Sequence, residues 1–151
     1  MAKLLLSERA IVPSFCLEGR DHNIFDSLDF KRDKNLVLYF VSEVENGFLV
    51  SLEGIQSSLR SANAETAVIT ALPVFIIEDF YKKHRLSFSI LSDNDRAVLG
   101  KFIKTDPFET FAAMVITNKK GELFFQTVVS KAGDLPPGAD IVRTLQFVDT
   151  Q

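Results

Sequence analysis

Covalent or redox chemistry in this sequence would have to begin at one thiol, because Cys16 is its only cysteine. A cysteine attacks as its thiolate, and a neighbouring cation or helix N-terminus must lower its pKa to make one. Phe15 and Leu17 flank Cys16, and the surrounding sequence reads as a strand with no Lys, Arg or helix start placed for that purpose. Its plain reading is a strand residue; a relocated redox thiol is the sharper alternative. A lone cysteine forms no internal disulfide, and a cytoplasmic location follows as the default expectation.

Metal and phosphate chemistry find less to work with. His22 falls in a turn and His84 at a helix end, so both histidines read as solvated surface rather than as ligands. Asp93 and Asp95 hint at a calcium loop, but the glycine and closing glutamate of that motif are missing. The sequence has no glycine-rich phosphate loop and no G-x-S-x-G elbow. Neither a metal nor a cofactor is expected. The cluster Lys82-Lys-His-Arg85 ends a predicted helix, where positive charge complements the helix dipole. Anion binding there is the alternative reading.

The elements that must position any site fit a chain of 151 residues, read as a single domain over 1–151. Hydrophobic residues make up 46% and charged residues 25%, enough for a core and a soluble surface. A net charge of −3 gives no electrostatic footprint for nucleic acid. No segment approaches the roughly 18 apolar residues of a membrane span, so no membrane partner is expected. The opening Met1 to Arg9 has only a short leucine run before charge, too little for a signal peptide. Fourteen Phe with no Trp read first as core filling.

Along the chain, Ile11 to Leu17 and Asn23 to Phe25 predict a hairpin, and Ser27 to Phe30 a helical turn before the charged link Lys31-Arg-Asp-Lys34. Leu36 to Val41 is a continuous apolar run, the pattern of a central parallel strand buried on both faces. Phe48, Leu52, Ile55, Leu59 and Ala62 draw the apolar face of a helix that Gly54 weakens. Thr66 to Leu72 predicts a second buried strand ended by Pro73, and Val74 to His84 an amphipathic helix. Phe88 to Leu91 is a short strand, and Ser92 or Asp93 caps a helix running to Phe102. Lys104 to Pro107 reads as loop. Phe111 to Thr117 and Glu122 to Val129 are strands joined by the turn Asn118-Lys-Lys-Gly121, and Ala139 to Val148 is a closing helix.

This order and several local sequences resemble the peroxiredoxin family. Pro13-Ser-Phe-Cys-Leu-Glu18 resembles its opening PxFxLxD strand, and Leu36-Val-Leu-Tyr-Phe40 its VVLYF strand. Phe80-Tyr-Lys-Lys-His-Arg-Leu-Ser-Phe-Ser-Ile-Leu-Ser-Asp93 resembles its F-x-x-K-x-x-L-x-F-P-L-L-S-D segment, and Ile116 to Leu123 its ID-x-x-G-x-V hairpin. The resemblance spans about residues 11 to 148 and implies an α/β, thioredoxin-like (peroxiredoxin-type) fold with a central mixed sheet flanked by helices.

The resemblance also implies a thiol peroxidase, and there the residues depart from it. The family places a P-x-x-x-T/S-x-x-C loop after the VLYF strand, with an arginine from a later strand to stabilise developing charge. Here the loop reads Val41-Ser-Glu-Val-Glu-Asn-Gly-Phe-Leu-Val50. Counting forward puts the sulfur at Leu49; counting back from the following helix puts it near Glu45. The two counts do not meet, so the loop reads as shortened, and Ser42 stands where the proline would be. The arginine is also missing from Glu109 to Met114.

The candidate site is therefore a remodelled pocket of Ser42, Glu43, Glu45, Asn46 and Leu49, with no catalytic residue assigned beyond the outside candidate Cys16. The favoured function is a catalytically degenerate peroxiredoxin-like module for binding or assembly, as a homodimer or with a protein partner. Phe48, Phe75, Phe108 and Phe111 are the residues available for an apolar interface. The alternative is an antioxidant oxidoreductase acting through Cys16 or through the remodelled pocket.

Overall fold

The computed structural model describes residues 1–30 and 32–149. Lys31, at the head of the charged link, and Thr150 and Gln151 lie outside the described residues.

The apolar run becomes β4 (Asn35–Val41), buried at every position. Side chains alternate across a strand, so Val37, Tyr39 and Val41 join one core while Leu36, Leu38 and Phe40 join another. Burial on both faces places β4 inside the sheet. It pairs in parallel with β5 (Ala64–Thr70), which pairs in parallel with β6 (Ser89–Ser92). On its other side β4 runs antiparallel to β8 (Ala112–Thr117), and β8 to β9 (Leu123–Val129). The hairpin of β2 (Cys16–Glu18) and β3 (Ile24–Asp26) completes a seven-stranded sheet of order β3-β2-β6-β5-β4-β8-β9.

Helices cover the first core: α1 (Asn46–Gly54), α2 (Gln56–Ser61), α3 (Val74–Lys83) and α5 (Gly138–Val148) contribute Leu49, Leu59, Ile77 and Leu145. The second core is aromatic, with Phe15, Phe40, Phe102 and Phe111 packed around the opposite sheet face. With Phe25 and Phe30 it takes six of the fourteen phenylalanines, their rings in contacts such as Phe40 tilted against Phe102 at 4.8 Å.

The structure redraws three predicted elements. The helix from Phe48 to Ala62 is two helices, α1 ending at Gly54 and α2 beginning at Gln56. Ile55 between them leaves helical geometry, with φ −103° and ψ 1°.

The helix from Ser92 or Asp93 to Phe102 shrinks to α4 (Leu99–Phe102). Its N-cap is Val98, not Ser92 or Asp93. Asp93 is buried, and its carboxylate accepts hydrogen bonds from the Val98 and Leu99 amides at 3.2 and 2.8 Å. Asp95 accepts from Ala97 N at 3.0 Å. Side chains that satisfy amides in this way offer the backbone an alternative to helix.

The strand predicted from Ile11 begins only at Cys16, with Ile11 making an isolated bridge to Glu122. A further short pair, β1 (Lys3–Leu4) with β7 (Ile103–Lys104), takes in Lys104 from the predicted loop and straps the N-terminal segment across the aromatic core. The predicted turn at Asn118–Gly121 is present: Asn118 Oδ1 accepts from the Lys120 and Glu122 amides at 3.0 Å, and Gly121 has φ 79°.

Candidate functional site

The parallel strands β4 and β5 end at Val41 and Thr70, and the loops that follow them form one pole of the sheet. Ser42 is fixed there. Its amide and hydroxyl both donate to Phe111 O, at 3.1 and 3.0 Å, and the Phe111 amide donates back to its Oγ at 2.8 Å. These bonds tie the end of β4 to the segment that enters β8.

The five residues of the predicted pocket take different environments. Ser42 lines a cavity of about 20 Å³ with Thr70, Asp93, Arg96 and Phe111. That is room for about one water-sized molecule. Glu43 is exposed. Glu45 is the N-cap of α1, makes no side-chain cap bond, and borders a different cavity beside Phe48. Asn46 Oδ1 lies 2.8 Å from His84 Nε2. Leu49 is 0% exposed, in the first turn of α1. An aliphatic side chain thus fills the position that the forward count gives to the sulfur, and Glu45, the other count, presents a carboxylate at the positive end of α1.

Two polar residues at this pole escaped the sequence reading. Arg96, an exposed residue of the turn after β6, lines the Ser42 cavity, whereas the peroxiredoxin arginine is expected on the strand that begins at Phe111. The Arg96 φ of 59° is the one local sign of a special turn, and a sequence does not display it. Thr70 is buried with a hydroxyl that has no partner among the described residues. Its threonine identity gave no signal, because β5 is a strand where threonine is ordinary.

Cys16 sits elsewhere. Its strand β2 is separated from β4 by β6 and β5, three strand spacings or about 14 Å. The thiol is free and exposed. It stands opposite Asp26 in the hairpin. Desolvation by the surrounding chain, then the charge of Asp26 and a hydrogen bond to it, push the thiol pKa up, with Asp29 adding to the effect. Those influences oppose thiolate formation. Both histidines are engaged apart from each other: His22 Nδ1 is 3.0 Å from Glu18 Oε2, and His84 meets Asn46. Among the described residues no group of three or more His, Cys, Asp or Glu is arranged to hold a metal ion, and no helix is long and apolar enough to cross a membrane.

Comparison of the whole arrangement with solved structures decides the fold. The mitochondrial 2-Cys peroxiredoxin of Plasmodium falciparum superposes with a TM-score of 0.79, covering 96% of this chain and 97% of that one at 16% identity. The peroxidoxin BcpB of Mycobacterium tuberculosis gives 0.81, covering 95% and 98% at 16% identity. The chain has the thioredoxin-like fold in its peroxiredoxin form. A putative protein disulfide isomerase from Bacteroides thetaiotaomicron also superposes, at 0.76 over 98% and 93% of the two chains with 14% identity. No protein-family model matches the sequence, and no curated protein matches it. Within the peroxiredoxin fold, Ser42 lies in the loop and Leu49 in the first helical turn after the VLYF-like strand.

Proposed function

We propose that this chain is a single-domain, catalytically degenerate peroxiredoxin-like protein of the cytoplasm that works as a binding or assembly module rather than as a peroxidase. The observation that carries the reading is the burial of Leu49 in the first turn of α1. Peroxide reduction needs an accessible thiolate, and a buried leucine provides neither the sulfur nor access. The raised pKa of Cys16, in the hairpin at the sheet edge, supports the same reading.

Self-association is the form of assembly that the surface favours. Phe75, at the start of α3, is 70% exposed, and Phe108, before β8, is 96% exposed. Phe108 also has φ 65°, a left-handed backbone that bulky residues rarely adopt. An exposed ring held in an unfavourable backbone conformation fits a contact better than it fits solvent. Phe111 is buried and Phe48 packs on Tyr39, so those two phenylalanines serve the cores.

Size-exclusion chromatography with light scattering tests the assembly half. A dimer that dissociates in Phe108→Ser is the expected result, and a strict monomer at high concentration counts against homo-assembly. The exposure of Cys16 favours the competing reading, a peroxidase on that thiol. Peroxide consumption by the wild type and by Cys16→Ser separates the two.

A further inference from the structure

A cavity of about 570 Å³ lies between α1 and the segment Ala132–Gly138 that leads into α5. Its volume falls within the range of roughly 300–1,000 Å³ common to small-molecule sites. Phe48, Ile55, Leu135 and Pro136 give it apolar walls, Tyr39 lines it from β4, and Glu45 stands beside them at the start of α1.

Tyr39 is the unusual member. It is 2% exposed and packs edge-on against Phe48, with ring centroids 5.4 Å apart and planes at 70°. Its hydroxyl makes no hydrogen bond with any described residue, and it is not among the fully enclosed polar atoms that lack one, so the oxygen keeps some contact with solvent where the side chain lines the cavity. Buried tyrosine hydroxyls ordinarily find a partner. The chain's other tyrosine does so twice: Tyr81 donates to Phe88 O and accepts from Ile90 N, both at 2.8 Å. Burial pushes the Tyr39 phenol far above its ordinary pKa, so it stays neutral and is able both to donate and to accept.

Charge narrows what fits. Among the residues lining the cavity there is no Lys, Arg or His, and Glu45 is the one carboxylate. The positive helix ends of α1 and α5 border the cavity, but Glu45 already sets a carboxylate at the first of them, so a carboxylate or phosphate ligand would meet a like charge with no Lys, Arg or His to offset it, which selects against it.

We propose that this cavity binds a small uncharged ring compound carrying one hydroxyl or carbonyl group, its ring against Phe48, Ile55 and Pro136 and its polar atom on the Tyr39 hydroxyl. The inference rests on the reading of the chain as a binding module and gives that module a ligand class. It uses neither Cys16 nor Ser42.

The test is a titration of 2-naphthol into the full ¹⁵N-labelled chain at neutral pH, followed by backbone amide shifts. Saturable shifts centred on Gly47, Phe48, Ser51 and Gly133 are expected. The anion 2-naphthoate should bind about tenfold more weakly or worse. Tyr39→Phe, which removes only the hydroxyl, should weaken 2-naphthol by about three- to tenfold while the spectrum stays folded. No shifts at these residues with 2-naphthol, equal binding of 2-naphthoate, or unchanged affinity in folded Tyr39→Phe would each overturn the proposal. If Tyr39→Phe loses its fold, the naphthol-against-naphthoate comparison on the unaltered chain still decides. Peroxide turnover is read in a separate assay, so its appearance would count against the non-peroxidase reading and leave the cavity result standing.

Discussion

Ser42 and Phe111 grip each other by three hydrogen bonds, two donated by Ser42 to Phe111 O and one donated by the Phe111 amide to Ser42 Oγ at 2.8 Å. The contact spans 69 residues of sequence. It closes the pole of the sheet between β4 and β8, beneath the loop that departs from the peroxiredoxin pattern. Ser42 stands at the forward-count position of the family's proline, and a proline there would have no amide to donate.

Ser42→Ala should therefore destabilise the fold more than a surface serine would. It removes the hydroxyl that both gives and takes, leaving the buried segment's Phe111 amide without its partner. The expected cost is about 1–3 kcal/mol, read as a lower urea midpoint with an unchanged slope. A midpoint equal to wild type would mean that the contact does not hold the pole together.

The thiol makes a pH prediction. A raised pKa means less thiolate at any given pH, so iodoacetamide should label Cys16 more slowly than free cysteine near pH 7. The rate should keep climbing at alkaline pH beyond the point where free cysteine has levelled off. Asp26→Asn removes the charge opposite Cys16 and should shift the rate profile toward lower pH. A labelling rate above that of free cysteine at neutral pH would reveal a thiolate that the hairpin does not favour.

Returning a sulfur to the helix tests whether the family's site is closed. In a Cys16→Ser background, Leu49→Cys places a thiol where Leu49 is 0% exposed. That thiol should resist Ellman's reagent in the folded protein and react fully once urea unfolds it. Rapid reaction in the folded state would show that the first turn of α1 opens to solvent and that the loop retains a usable pocket.

Much of the fold was legible because it depends on patterns a sequence carries openly. The run from Leu36 to Val41 announced a strand buried on both faces, and Asn118-Lys-Lys-Gly121 announced its turn. The elements that were misjudged depend on pairings over distance. Lys3–Leu4 is a strand only because Ile103–Lys104 lies beside it. The helix expected from Asp93 was cut short by the same carboxylate expected to cap it, because Asp93 reaches Val98 and Leu99 instead of the first amides after it. At the site, the absence of cysteine from the loop was plain. The arrival of Arg96 and Thr70 beside Ser42 was not, since four separate segments meet there. Tyr39 read as one more apolar position of β4; only its surroundings reveal a hydroxyl without a partner.

Steady-state consumption of hydrogen peroxide and of an organic hydroperoxide, with a dithiol reductant present, separates a degenerate chain from a working peroxidase. The purified wild type is compared with Cys16→Ser and with a protein-free control. Wild type and Cys16→Ser should both consume peroxide at the rate of the control. Catalytic turnover by the wild type that disappears in Cys16→Ser would contradict the degenerate reading and make this chain a thiol peroxidase acting from the edge hairpin.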